Sequence, residues 1–145
     1  MRPRNHALSP AHQSRHNLVY WRGEDYLGIG PGAHGRVTRN GIRQATVAAM
    51  TPKAYIDLVS GSGTGLAATE VLSPVATAEE RLLSGLRITE GVAFSEVSAL
   101  GLHASHREVI ALTADGLLIP DELQLIPTPA GRLVLNWLTS RLALA

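Results

Sequence analysis

The sequence has 145 residues, with 13 lysines and arginines against 12 aspartates and glutamates, six histidines and no cysteine. That length supports one domain with an appended piece, and 45% hydrophobic residues with only 4% aromatics call for a core of Leu, Val, Ile and Ala. Without cysteine the chain cannot form disulfides, zinc–thiolate sites or cysteine-ligated iron–sulfur clusters, which agrees with a reducing compartment.

In chain order, residues 1–15 are polar and aperiodic, with Pro3 and Pro10, and read as a loop or a ragged start. The opening MRPRNHALSPAHQSRHN lacks the apolar run of a signal peptide. No stretch approaches the roughly 18 apolar residues of a spanning helix, so the expectation is a soluble, cytosolic protein. Residues 18–21 (LVYW) and 26–29 (YLGI) suit short strands joined by a turn at RGED. Gly28, Gly30, Gly32 and Gly35 then force an irregular loop. Residues 36–48 read as a hairpin turning at Asn40-Gly41. Thr51-Pro52 opens a helix to about Val59. SGSGTG at 60–65 is the break, with the domain boundary placed near residue 70.

In the second half, Thr77 to Glu80 reads as a capping box, followed by a helix ending before Gly91 with Val75, Leu82, Leu83 and Leu86 inward. Ser95 caps a short helix stopping at Gly101. Ser105 to Glu108 is a second capping box, with Val109, Ile110 and Leu112 inward and Gly116 ending the helix. LLIPDELQLIP is a hairpin, and Thr128-Pro129 starts a last helix with Leu133, Val134, Trp137, Leu138 and Leu142 at helical spacing. Helix, helix, helix, hairpin, helix is the order of a winged-helix module, so the expected class is α+β.

A winged helix raises nucleic-acid binding as one function. Phosphate neutralisation needs Lys and Arg. Residues 77–145 hold five basic and eight acidic side chains, whereas residues 1–76 hold eight and four. The candidate recognition helix has Arg107 against Glu108 and Asp115, and the wing carries Asp121 and Glu122. No nucleic-acid partner is therefore expected, and a packing or lid module is preferred. His103 and His106 sit three apart, a spacing that can hold a metal, but with no clear third ligand they read as surface histidines.

GIGPGAHG lacks the Lys-Ser/Thr of a P-loop and the following helix of a dinucleotide fingerprint. Two readings stand: a loop letting backbone approach a ligand closely, or a structural loop at a strand end. Likewise His16-Asn17 beside Tyr20-Trp21 is either a seat for a porphyrin, with histidine as axial ligand, or a capped strand end. If extended, the segment directs His16, Leu18 and Tyr20 one way and Asn17, Val19 and Trp21 the other.

HNLVYW followed by GEDYLGIGPGAHG resembles the signature of the HemW family, the heme-chaperone branch of radical S-adenosylmethionine proteins. That branch is similar to oxygen-independent coproporphyrinogen III oxidases. AEERLLSGLRITEGV and GLLIPDELQLIPTPAGRLVLNWL resemble the start and end of the family's C-terminal domain, and Asn5-His6-Ala7 the tail of a preceding motif. The resemblance implies a cytoplasmic protein that binds heme and passes it to membrane hemoproteins of the respiratory chain. It implies heme binding by His16, with Asn17, Tyr20 and Trp21 as its setting and His16 on the iron. Gly28, Gly30, Gly32, Ala33 and His34 would neighbour S-adenosylmethionine. The family's CxxxCxxC, which ligates its [4Fe–4S] cluster, is absent from this sequence, so the chain cannot hold the cluster and is not expected to be catalytic alone. The expectation is a C-terminal fragment. Residues 1–69 are the end of a partial β/α barrel with sticky open edges, able to associate with a separately encoded barrel half, and residues 70–145 are a winged-helix-like domain. A piece of a coproporphyrinogen III dehydrogenase of porphyrin biosynthesis is the alternative within the resemblance.

Overall fold

A computed structural model of the chain describes residues 12–145. Most of the loop expected over 1–15, and Asn5-His6-Ala7, lie outside the described residues. Two compact units form: residues 12–23 together with Pro74–Ala145, and Glu24–Ser73. The boundary expected at 69/70 therefore shifts to Ser73/Pro74, because residues 66–71 form a strand of the smaller unit. Residues 12–23, expected with the barrel end, group with the C-terminal part.

The strand expected at 18–21 is instead the second half of a helix, α1 (Arg15–Trp21). Ser14, in extended conformation, caps it by accepting the backbone N–H of Asn17, which satisfies one of the donors a helix start leaves open. Four apolar and aromatic residues are too few to fix a period of two, and the cap upstream decides. The strand expected at 26–29 reduces to one bridge between Tyr26 and Arg36.

The smaller unit is a three-stranded antiparallel sheet. Strands β1 (His34–Arg39) and β2 (Ile42–Ala48) form the predicted hairpin, with Asn40 at φ 51° and Gly41 at φ 75°, the two left-handed residues of a type I′ turn. Helix α2 (Pro52–Ser62) has Thr51 as cap and Pro52 in its first turn, as predicted, but runs to Ser62 and stops at Gly63. The expected break at 60–65 is thus largely the end of this helix. Strand β3 (Leu66–Val71) returns antiparallel to β2, giving the order β1-β2-β3. A β/α barrel pairs its strands parallel; the pairings among the described residues of this unit are antiparallel. The buried residues here are small, Gly35, Thr46, Ala48, Ala49 and Gly65, while Ile42, Met50, Ile56, Leu66 and Val71 are exposed. Strand β3 is exposed along its whole length and is an edge of the sheet.

The larger unit holds the main core. Helix α3 (Pro74–Gly85) starts three residues before the expected capping box, so Thr77 lies inside it. Ser73-Pro74 repeats the polar-then-proline signal of Thr51-Pro52. Its inward stripe is Ala78, Leu82 and Gly85, continued by Leu86; Val75 and Leu83 face out, contrary to expectation. Strand β4 (Val92–Ala93) leads into two 3₁₀ turns, Phe94–Glu96 and Ser98–Leu100, where one short helix was expected; Gly101 ends the second. Helix α4 (Arg107–Ala114) is capped by His106 rather than Ser105: the imidazole Nδ1 accepts the Glu108 N–H at 3.3 Å. Val109 and Leu112 are buried as predicted, whereas Ile110 is exposed.

The expected hairpin is β5 (Leu118–Ile119) with β6 (Gln124–Pro127), and β4 joins it in the order β4-β6-β5. The last helix divides at Val134 into α5 (Pro129–Leu133), capped by Thr128, and α6 (Leu135–Ala143). Leu138 and Leu142 enter the core; Leu133, Val134 and Trp137 do not. The core is Leu and Val from α3, β4, α4, β5, β6 and α6, with Leu86, Phe94, Val97 and Leu102 from the segments between them, close to the aliphatic core the composition demanded. No helix among the described residues is long and apolar enough to cross a membrane.

Candidate functional site

The pattern His-Asn-x-x-Tyr-Trp places two pairs four residues apart, and on a helix each pair shares a stripe. His16 and Tyr20 therefore lie on one face of α1, with Asn17 and Trp21 on the adjoining stripe. The His16 and Tyr20 rings meet edge to face at 4.8 Å between centroids, and the Tyr20 hydroxyl lies 3.3 Å from His16 Nε2. Both side chains are exposed, while Asn17 and Trp21 are half-buried. The strand reading paired His16 with Tyr20 correctly but put Leu18 beside them; a helix turns Leu18 to the far side. The repeat of a doublet at a spacing of four was the signal for this arrangement.

Sequence reading missed what holds α1 in place. Arg81 of α3 donates from Nη1 to the Trp21 carbonyl at 2.7 Å and from Nε to Glu96 at 2.6 Å. Glu96 in turn accepts the Ala93 N–H through its other oxygen at 3.1 Å. A Cβ on Gly85 would overlap the Arg81 guanidinium, and one on Gly23 would come within 3.0 Å of its stem. Arg22, just past the helix, pairs with Glu90 at 2.9 Å, and this bond first, then a backbone bond, holds the Glu90 carboxyl below its ordinary pKa. The helix carrying His16 is thus fastened at its C-terminal end by one arginine hydrogen bond, from a guanidinium held by Glu96, and by an ion pair.

The glycine loop belongs to the smaller unit. Its shape follows from internal contacts. Gly28 passes so close to the His34 backbone that a Cβ would overlap it, and Gly35 is packed against Thr46 and Tyr26. Gly30 and Gly32 take φ of 102° and 69°, left-handed values that favour glycine. The N–H groups of Gly32 and Ala33 donate to Ala49 and Gly30, so neither is left over for a ligand. A Cβ on Gly30 would meet no atom within 4 Å, and His34 is exposed. Below this loop Asp25 accepts the Thr38 N–H at 2.6 Å and its hydroxyl at 2.8 Å, with Arg43 at 3.4 Å. The Thr38 N–H, ahead of burial, its hydroxyl and the Arg43 charge, decides the direction: the Asp25 pKa is lowered.

These residues fit the groups under consideration unequally. An exposed imidazole on an anchored helix is reachable by a heme iron. A cysteine-ligated cluster does not fit, since the chain has no cysteine. No group of three or more metal-ligating side chains occurs among the described residues. His103 and His106 stand 5.7 Å apart between ring centroids, and His106 spends its Nδ1 as a helix cap.

No family model matches the chain. It is 34% identical over 116 residues to radical S-adenosyl methionine domain-containing protein 1, mitochondrial, of Danio rerio, covering 77% of this chain and 25% of that protein. It is 34% identical over 128 residues to the heme chaperone HemW of Bacillus subtilis, covering 86% of this chain and 33% of that protein. The solved structure of the Escherichia coli coproporphyrinogen III oxidase HemN, a radical SAM enzyme, matches 83% of this chain and 28% of its own with a TM-score of 0.57 at 20% identity, which establishes a shared fold. The chain spans about a quarter to a third of the length of the curated relatives it matches. It is accordingly homologous to a part of the proteins in the family of the heme chaperone HemW and radical S-adenosyl methionine domain-containing protein 1.

Proposed function

We propose that this chain binds heme at the His16–Tyr20 face of α1 and carries no radical chemistry of its own. The observation that supports the reading most directly is the exposed His16 imidazole, edge to face with the Tyr20 ring, on a helix fastened by Arg81. The similarity to a heme chaperone supplies the ligand class. Heme iron takes an imidazole nitrogen as ligand. His16 would supply that nitrogen, Tyr20 and Trp21 would offer flat apolar surface, and Arg81 would keep the helix from unwinding when the ligand arrives.

In this reading the chain is the C-terminal portion of the family protein, with the larger unit as its winged-helix-like module and the smaller unit, whose strands pair antiparallel, as a segment adjoining the barrel rather than part of its parallel sheet. The exposed apolar residues of the smaller unit and its open β3 edge then meet the rest of the barrel, where S-adenosylmethionine and the [4Fe–4S] cluster bind. The setting is cytoplasmic, and membrane hemoproteins of the respiratory chain receive the heme. Titrating ferric heme into the whole chain tests the reading. A Soret maximum that shifts, with affinity falling about tenfold or more, in His16→Ala is expected; that loss corresponds to roughly 1.4 kcal/mol or more. Unchanged spectra and affinity would remove His16 as ligand. A porphyrin-synthesis fragment remains the second reading, favoured by the fold shared with HemN.

A further inference from the structure

Between α4 and the β5–β6 hairpin lies a cavity of about 690 Å³. Buried Val109, Leu118 and Leu125 form its floor, and Ile110 and Ile119, 55% and 44% exposed, stand at its sides. Asp121 and Glu122 of the hairpin tip supply its rim, and no Lys, Arg or His lines it. We propose that this groove docks a basic peptide segment bearing aliphatic side chains, supplied by a partner protein. The inference is independent of the heme reading.

Three features favour that occupant. Ile110 and Ile119, left in solvent on either side of the cavity, gain by being covered. The charge of the rim has one sign. Asp121 Oδ1 already accepts the N–H groups of Leu123 and Gln124 at 2.7 and 2.8 Å, which fixes the tip, while its second oxygen takes part in neither bond. Acidic rims of this kind select cationic partners and repel phosphates. The third feature is length. The wall from Val109 to Ala114 runs about 8 Å along a helix, the reach of two to three extended residues. Strand β5 is an edge of its sheet. Thr128 donates to the Leu117 carbonyl, so in the alternation of an antiparallel ladder Leu118, opposite Pro127, turns its own N–H and C=O away from β6. An extended chain can use such an edge.

The test uses the whole chain and a dye-labelled octapeptide alternating Lys or Arg with Ile or Leu, read by fluorescence anisotropy. A counterpart with Glu in place of each base is the control. Saturable binding of the basic peptide alone is expected, weakened about tenfold or more by Glu122→Lys and by Ile110→Ser. Both positions are exposed, and circular dichroism verifies that each variant keeps its fold; Asp121 is left intact because it caps the turn. Equal binding of the two peptides, no binding to the parent chain, or variants that bind like the parent would overturn the proposal. So would sedimentation showing that the same substitutions abolish self-association, which would assign the groove to a second copy.

Discussion

Removing the Arg81 side chain should release α1 from the larger unit. Its guanidinium donates to the Trp21 carbonyl at 2.7 Å and to Glu96 at 2.6 Å. The arginine side chain is 13% exposed and that of Glu96 39%. A bond from a charged donor to a half-buried carbonyl contributes about 1.5–3 kcal/mol, and the ion pair, discounted for the exposure of Glu96, about 0.5–1 kcal/mol. Arg81→Ala should therefore cost on the order of 2–4 kcal/mol where α1 meets α3, felt locally before globally. Limited trypsin digestion reads this directly, since Arg15 opens the helix and Arg22 follows it: the variant should be cut there at least tenfold faster at native temperature. Heme affinity should fall in parallel, because binding must then order the helix as well. Arg81→Lys should recover only a part, since an ammonium cannot reproduce the fork. Cleavage and urea midpoint equal to the parent's would refute the idea that this arginine holds the site.

Tyr20→Phe should tighten heme binding about two- to fivefold, because an exposed neutral hydrogen bond of about 0.5–1 kcal/mol no longer competes for His16 Nε2; weaker binding would mean that the hydroxyl helps hold the ligand. Leu82→Ala, in the buried core, should cost about 2–5 kcal/mol in urea unfolding, whereas Ile56→Ala, exposed on α2, should stay within about 0.5 kcal/mol. Equal effects would contradict the placement of the core. At acid pH the folded Asp25 and Glu90 have pKa values below their ordinary 3.8 and 4.5. The folded chain thus binds protons less readily, and the stability these groups add is complete above those ordinary values and lost as pH falls through the lower folded ones. Asp25→Asn should flatten part of that acid-side slope in a pH series of thermal melts; an unchanged slope would remove Asp25 from it.

Signals that act within a few residues were legible in the sequence. Asn40-Gly41 named its turn, Thr51-Pro52 and Thr128-Pro129 named their caps, and the hairpin after Gly116 appeared where alternation and turn residues agreed. Signals that depend on tertiary partners were not. The stretch LVYW reads as strand by propensity, and its helix is decided by a Ser14 cap and by Arg81, a residue sixty positions away. Which stripe of α3 or α6 turns inward could not be read from leucines that sit on both sides; Leu82 and Leu142 are buried, Leu83 and Leu133 are not. At the candidate site the motif nominated the residues, but their geometry emerged only when the doublet spacing became a helix face. The glycines of residues 28–35 also meet backbone demands that sequence could not show, close passage at Gly28 and Gly35 and left-handed φ at Gly30 and Gly32.

The account rests on an imidazole at residue 16 that meets iron. Electron paramagnetic resonance of the ferric-heme-loaded chain, compared with His16→Ala, tests that contact most directly. An axial-nitrogen signature present in the parent and absent from the variant is the predicted result; two superimposable spectra would contradict it.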